Sequence, residues 1–343
     1  MTAAAVQPAA PPVVRAEGLR VLLPSRDGRE LAAVDGVDLT VQPGEILGIA
    51  GESGSGKTMT ALALLGLLPH GARTEGSLEL DGVDLLRMPI KQLRALRGAE
   101  MAMVFQDPMT SLHPMLTVGK QITEHLRFHS GINKRAAMAR ATELLEQVRI
   151  PDPARTIKAY PHQFSGGMRQ RVAIAVALAC SPRLLIADEP TTALDVTVQA
   201  GILRLLDRLR REEGVSIMVI THDLGVLSAL ADRLVVMYAG RIAETGSTAD
   251  VLGYPRHPYT RGLLHALPHP ELGSAELRPI PGSPPALADR PPGCPFEPRC
   301  SESVPSCAQH RPELLPIGGG RAIACPVDPY AGADDVASEV VTS

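Results

Sequence analysis

The sequence predicts an α/β fold built around a phosphate-binding loop, and three observations predict it. First, Gly51-Glu52-Ser53-Gly54-Ser55-Gly56-Lys57-Thr58 reads G-x-x-x-x-G-K-[ST]. Second, that stretch lies between the apolar run Glu45 to Ala50 and the helix-forming segment Met59 to Leu65, the strand–loop–helix context the motif needs. Third, short apolar runs recur at Met101 to Phe105, Leu184 to Ala187 and Val215 to Ile220, and polar residues follow each one. Continuous apolar runs suit strands buried on both faces, and ligands of such sheets bind at the carboxyl ends of the strands.

Composition sets the frame. The 343 residues, 45% hydrophobic and 21% charged, are enough for one large domain or two. A formal net charge of −3 gives no pull toward nucleic acid. Aromatics make up 3% of the chain, with no Trp, so there is no stacking platform for bases. No apolar run approaches the roughly 18–20 residues of a membrane span. Residues Met1 to Pro12 are rich in Ala and Pro, with neither a basic start nor an apolar centre. They read as a disordered lead-in rather than a secretory signal, which points to the cytosol.

The elements follow in order. Residues 13–41 read as strands, with Asp27-Gly28 as a hairpin turn and Val37 to Val41 alternating as a half-buried strand. In the phosphate loop, glycines let the backbone turn its N–H groups onto phosphate oxygens. The helix behind it adds the positive end of its dipole. Lys57 is assigned to the β- and γ-phosphates, and Thr58 to Mg²⁺. Asp81-Gly82 marks a second hairpin turn. Gln106 follows the strand ending at Phe105, at a ligand-binding edge; alone, it reads equally as a loop amide. Residues 89–158 read as a mostly helical insertion, closed by Pro151 and Pro153.

Ser165 is a plausible N-cap, and Gly166-Gly167 keep the start of the next helix bare, as an anion site would require. An ordinary capped helix fits this stretch as well. Asp188 and Glu189 close the following strand. Two acids at the mouth of an apolar strand are costly unless they act on a cation or a water. Asp188 suits Mg²⁺ and Glu189 a general base. His222 follows the next strand, where it could contact a γ-phosphate. Residues 234–238 and 241–244 pair as a hairpin across Ala239-Gly240, and the α/β part ends near Leu252. Prolines become dense from Tyr254 onward. Pro270 to Pro292 reads as an extended wrap, and residues 331–343 as a disordered tail.

Together these motifs resemble the nucleotide-binding subunit of an ABC transporter over residues 13–252. The resemblance implies a P-loop NTPase core with an antiparallel β subdomain, a helical insertion and a C-terminal extension. It makes Gly51 to Thr58 the Walker A loop, Gln106 the Q-loop glutamine and metal sensor, Asp188 the Walker B acid, and Glu189 the catalytic glutamate. His222 is then the switch histidine, and Ala193-Leu194-Asp195 the D-loop. Ser165-Gly166-Gly167-Met168 is the signature, which contacts ATP bound by another subunit. Here it reads Phe-Ser-Gly-Gly-Met rather than the commoner Leu-Ser-Gly-Gly-Gln. Narrower matches point to the dipeptide/oligopeptide permease ATPases, whose relatives also serve nickel, glutathione and some sugars. They are Phe105 to Leu112, Tyr160 to Gln163, Met168 to Arg171, His257 to Thr260 and Ile280 to Pro285.

That resemblance implies an importer subunit on the cytoplasmic face of the membrane. Its partners would be a second homologous ATPase, two transmembrane permease subunits and an extracytoplasmic substrate-binding protein. A soluble ABC ATPase of translation or repair is the alternative, but the chain has neither a second cassette nor a long coiled coil. One departure stands out. The family stacks adenine on an early aromatic, which would fall near Leu23, yet no aromatic precedes Phe105. Weak discrimination between ATP and GTP is therefore expected.

Cys294, Cys300, Cys307 and Cys325 are spaced C-x5-C-x6-C-x17-C. No short knuckle of the zinc type is present. Four thiolates suit an iron–sulfur cluster better, and the resemblance likewise implies a [4Fe-4S] cluster in residues 253–330. Zinc with His310 as a substitute ligand, and free thiols, are the other readings. Cys180, in an apolar helix, reads as a small buried residue.

Overall fold

The computed structural model describes residues 10–107, 111–266 and 279–327. The expected lead-in and tail fall largely outside these residues. Two sheets carry the fold. In the first, β1 (Val14–Pro24) pairs antiparallel with β2 (Glu30–Val41), and the turn between them closes through Ser25 N–H donating to Arg29 O at 2.8 Å. On its other side β1 pairs with β4 (Arg73–Leu80), which pairs with β5 (Val83–Asp84) across Asp81-Gly82, giving the order β2-β1-β4-β5.

The second sheet is the frame of the site. Its parallel block comprises β3 (Ile46–Ala50), β6 (Met101–Val104), β7 (Leu184–Asp188), β8 (Ser216–Ile220) and β9 (Arg233–Tyr238), in the order β9-β3-β8-β7-β6. Every residue of β3, β7 and β8 is buried. Each of these strands lies between two others and is covered on both faces, so their sequences are continuously apolar rather than alternating. Alternate side chains divide between two cores. Leu47, Ile49, Ile186 and Met218 join the core under the antiparallel sheet, and Ile46, Ala50, Leu185 and Val219 join the helical core on the other face.

Helix α1 (Lys57–Leu64) packs on the antiparallel side, and α2 (Ile90–Leu96) leads into β6. Between β6 and β7 come α3 (Val118–Ser130), α4 (Lys134–Gln147), the short α5 (Pro153–Thr156) and α6 (Gly166–Ala177). Asn133 caps α4 through its side chain, accepting from Ala136 N–H at 3.0 Å. The stretch 89–158 is therefore not helical throughout, because β6 within it belongs to the main sheet. Its burial there follows from pairing with β7, Val104 opposite Ala187. After β7 come α7 (Val196–Glu213) and, after β8, α8 (Leu224–Leu230).

The change of composition near Tyr254 is not a break in the core. β10 (Arg241–Ser247) pairs antiparallel with β9 on one side and with β12 (Arg321–Ile323) on the other, and β11 (Leu315–Gly318) completes the sheet. Between β10 and β11 lie α9 (Thr248–Gly253), α10 (Pro258–His265) and α11 (Pro305–Gln309). Tyr259 of α10 is fully buried in the helical core, and Phe296 packs beside it. Residues 279–292 carry no helix or strand. Among the described residues, no helix is long and apolar enough to cross a membrane.

Candidate active site

The phosphate loop connects β3 to α1. Gly51 sits at φ 144°, and a Cβ there would overlap the carbonyl oxygen of Met237. No other residue fits this backbone without moving β9. Gly56 caps α1 without a side-chain bond, so the first N–H groups of the helix have no side-chain acceptor and are left for an anion. Lys57 curls back over the loop, its Nζ donating to Gly51 O at 2.6 Å, Glu52 O at 2.9 Å and Ser55 Oγ at 3.4 Å. Burial pulls the Lys57 pKa down, against the charges of Glu189, Asp188 and Glu52.

The two acids close one strand: Asp188 is the last residue of β7, opposite Ile220 of β8, and Glu189 follows it directly. Asp188 Oδ2 accepts from Thr58 Oγ1 at 3.1 Å, while Oδ1 is buried and has no partner among the described residues. Burial pushes its pKa up. An unpaired buried carboxylate oxygen beside a hydroxyl is costly, and a divalent cation removes the cost. Thr58 and Asp188 therefore fit Mg²⁺.

Glu189 takes a left-handed backbone, φ 49°, held by its N–H donating to Ile220 O at 2.8 Å. Its carboxylate accepts from Thr192 Oγ1 at 2.8 Å, Thr221 Oγ1 at 3.1 Å, and His222 N–H and Nδ1 at 3.1 and 2.8 Å. Burial raises its pKa, but the hydrogen bonds from His222 and Thr192 outweigh burial and hold it below the usual range. The group is thus an ionised acceptor at neutral pH. An ionised carboxylate only accepts, so His222 Nδ1 carries a proton and donates, and Nε2 takes no part in this contact. His222 itself is 66% exposed.

Gln106 stands two residues past the end of β6, at the same sheet edge as Asp188, and is exposed. Ser165 caps α6 by accepting from Met168 N–H at 3.4 Å. Ser165 and Gly166 are exposed, and Gly167 is buried where a Cβ would overlap Val198. No hydrogen bond among the described residues joins Ser165, Gly166, Gly167 or Met168 to the phosphate loop. The chain thus brings together Lys57, Thr58, Asp188, Glu189 and His222, and leaves the capped end of α6 unjoined to them. Sequence reasoning missed Thr192 and Thr221 as holders of Glu189. The signal for Thr221 is a hydroxyl immediately after the end of β8, whereas Thr192, four residues past the end of β7, has no local signal. Leu23 is half-buried near the end of β1.

The cysteines of the extension converge without forming a compact ligand set. Cys294 N–H donates to Cys307 O at 2.7 Å. The Cys325 thiol is pushed up to about 12, by burial first and then by the other three thiols. Among the described residues, no group of three or more His, Cys, Asp or Glu is arranged to hold a metal ion. His310, considered above as a zinc ligand, instead has Nδ1 3.4 Å from Ser306 O.

A phosphate loop backed by a buried acid and a fixed Glu–His pair, on a parallel sheet with an antiparallel sheet and a helical insertion beside it, defines an ABC-type ATPase cassette. Residues 34–192 match the family model for the ABC transporter, and residues 243–307 that for the oligopeptide/dipeptide transporter C-terminal region. The chain belongs to this family, among the ATP-binding proteins of oligopeptide and dipeptide transport. It is 49% identical over 307 residues to the oligopeptide transport ATP-binding protein OppD of Salmonella typhimurium, covering 90% of this chain and 91% of that one. To the dipeptide transport ATP-binding protein DppD of Bacillus subtilis it is 51% identical over 282 residues, covering 82% and 84%. Among solved structures, the dimeric bacterial ABC transporter cassette MJ0796 matches with a TM-score of 0.61 at 29% identity, covering 68% of this chain and 98% of that one. The same cassette, solved as a dimer in a post-hydrolysis state with ADP and Pi, matches equally.

Proposed function

We propose that this chain hydrolyses ATP as one of two ATPase subunits of an importer for di- and oligopeptides. The observation that carries this reading is the asymmetry of its site. The chain holds Lys57, Thr58, Asp188, Glu189 and His222 together, while the exposed end of α6 at Ser165 and Gly166 meets none of them. Such a half-site is closed by a second subunit, whose residues equivalent to Ser165-Gly166-Gly167-Met168 face the bound nucleotide. A homologous rather than identical partner is the form we favour. Two transmembrane permease subunits and an extracytoplasmic substrate-binding protein complete the assembly, and the chain sits peripherally on the cytoplasmic face.

The residues divide the work. Backbone N–H groups of residues 53–58 and the start of α1 bind the phosphates, and Lys57 exchanges its carbonyl partners for phosphate oxygens. Thr58 and Asp188 hold Mg²⁺, which neutralises charge developing on the phosphates. Gln106 watches the metal edge. Glu189, ionised and fixed by four donors, orients and polarises the attacking water, while His222, held through Nδ1, contacts the γ-phosphate by donating from a protonated Nε2. Beside Gln106, a cleft of about 210 Å³ lined by Leu67, Met103, Phe105, Leu112 and Val176 offers an apolar seat for a permease segment.

The four cysteines are assigned to a [4Fe-4S] cluster with a structural role, in preference to zinc. What supports this reading is a spacing without a short zinc knuckle and the convergence of the cysteines, with Cys294 N–H donating to Cys307 O at 2.7 Å. Visible absorbance and iron content of anaerobically purified protein test it, and colourless protein with stoichiometric zinc overturns it.

For the main proposal, the chain is copurified with its permease and binding-protein partners in vesicles. Peptide-loaded binding protein is expected to stimulate ATP hydrolysis severalfold. Stimulation by nickel or glutathione instead would refute the peptide assignment, and hydrolysis independent of any membrane partner would refute transport.

A further inference from the structure

The C-terminal extension reaches into the phosphate loop. Glu52, the second residue of that loop, is held at three points. Its carboxylate receives both arms of Arg299, Nη1 at 2.6 Å and Nη2 at 3.0 Å. Its backbone N–H donates to Tyr259 Oη at 2.8 Å, and its carbonyl accepts from Lys57 Nζ at 2.9 Å. Arg299 and Tyr259 both belong to the extension.

Arg299 is built in rather than laid on. Its side chain is 5% exposed. Nη1 also donates to Tyr238 Oη at 3.2 Å, and Nε donates to Pro281 O at 2.8 Å. Its guanidinium lies 5.8 Å from the Tyr238 ring centroid and 6.0 Å from that of Phe296. Tyr238, Tyr259 and Phe296 pack ring to ring behind it, with centroids 4.6 to 5.3 Å apart.

A carboxylate in a loop that binds phosphate is an electrostatic anomaly. Unpaired, it would repel the charge the loop exists to hold. A bidentate guanidinium cancels that charge and fixes the carboxylate plane, which a lysine cannot do. We propose that Arg299 is a positioning residue for nucleotide binding. It neutralises Glu52 and, with Tyr259, clamps the first turn of the phosphate loop, which makes the extension part of the ATP site. The proposal rests on the ATP-binding reading above.

Nucleotide titration of the full-length chain and steady-state hydrolysis by the assembled complex test it. Arg299→Ala leaves Glu52 unpaired, so the Kd for ATP is expected to rise about tenfold, with kcat at saturating ATP moving far less. Arg299→Lys falls between, at about threefold, because it restores charge without the fork. Adding Glu52→Gln to Arg299→Ala removes the stranded charge and recovers most of the lost affinity. A purely structural arginine would show no such recovery, so a double variant as weak as Arg299→Ala overturns the proposal. Unchanged affinity in Arg299→Ala also overturns it, and where that variant does not fold, unchanged affinity in Arg299→Lys does so. Wild-type protein that binds no ATP would instead sink the proposed function itself.

Discussion

The phosphate loop and the start of α6 are both glycine-rich helix entrances, and they are finished in opposite ways. At the phosphate loop, the surrounding chain holds the side chains of Glu52, Lys57 and Thr58. Lys57 is anchored on two carbonyls, Glu52 on Arg299 and Tyr259, and Thr58 on Asp188. At α6, Ser165 makes one cap bond and Gly166 stands exposed. Even the two glycines differ. Gly167 is required by Val198, whereas a Cβ on Gly166 would meet only Leu194 Cδ2 at 3.4 Å, an ordinary contact. Gly167 therefore answers a packing need within the chain, whereas no packing need within the described residues requires Gly166. At one entrance the side chains are held by the rest of the chain, and at the other they are not.

The sharpest way to break the comparison is at Glu189. Glu189→Gln keeps the side-chain size but removes the charge and turns one accepting oxygen into a donor, and phosphate release is expected to fall at least about 100-fold while ATP still binds and joins two subunits. Wild-type turnover would remove Glu189 from the reaction.

Acid tests the support behind the phosphate loop. His257 caps α10 by accepting Tyr259 N–H at 3.0 Å, and burial lowers its pKa from 6.5 to about 4. Its folded pKa lies below its unfolded one, so the unfolded chain binds the extra proton first. Stability is then full above pH 6.5 and declines as pH falls toward 4, by up to about 3 kcal/mol. Thermal melts across that range check it. His257→Asn, which retains a capping acceptor, should flatten the slope.

Smaller effects separate the two glycines. Gly167→Ala must push α6 away from Val198, with an expected loss of about 1–3 kcal/mol. Gly166→Ala should leave the melting temperature within the range of a neutral surface change, about 0.5 kcal/mol, yet slow hydrolysis in the assembled complex. Equal destabilisation by both would erase the distinction. Ser165→Ala removes a long cap bond and should cost the least of the destabilising changes, about 0.5–1 kcal/mol in denaturant titrations.

Much of the site was legible because its signals are local. Gly51 to Thr58 is contiguous, the buried strands β3, β7 and β8 announce themselves as unbroken apolar runs, and Ser165 declares its cap one residue before its helix. The assignment of Asp188 and Glu189 followed from two acids closing such a run. Other features were invisible for a physical reason. The strand at residues 101–105, within the mostly helical stretch 89–158, was legible as an apolar run, but a run that short does not reveal which neighbour it pairs with, here β7. The proline-rich composition after Tyr254 gave no sign of strands, because backbone pairing of β12 with β10 is decided by hydrogen bonds that composition does not encode.

By itself the sequence determined the candidates, the residues proposed to meet phosphate, metal and water, since motif spacing along a strand, loop and helix dictates where their side chains emerge. Tertiary structure alone decided how that chemistry is held. The four donors on Glu189 come from two separate loops. The clamp on Glu52 comes from Arg299, 247 positions away. Contacts between distant residues are set by packing, and no local pattern records them.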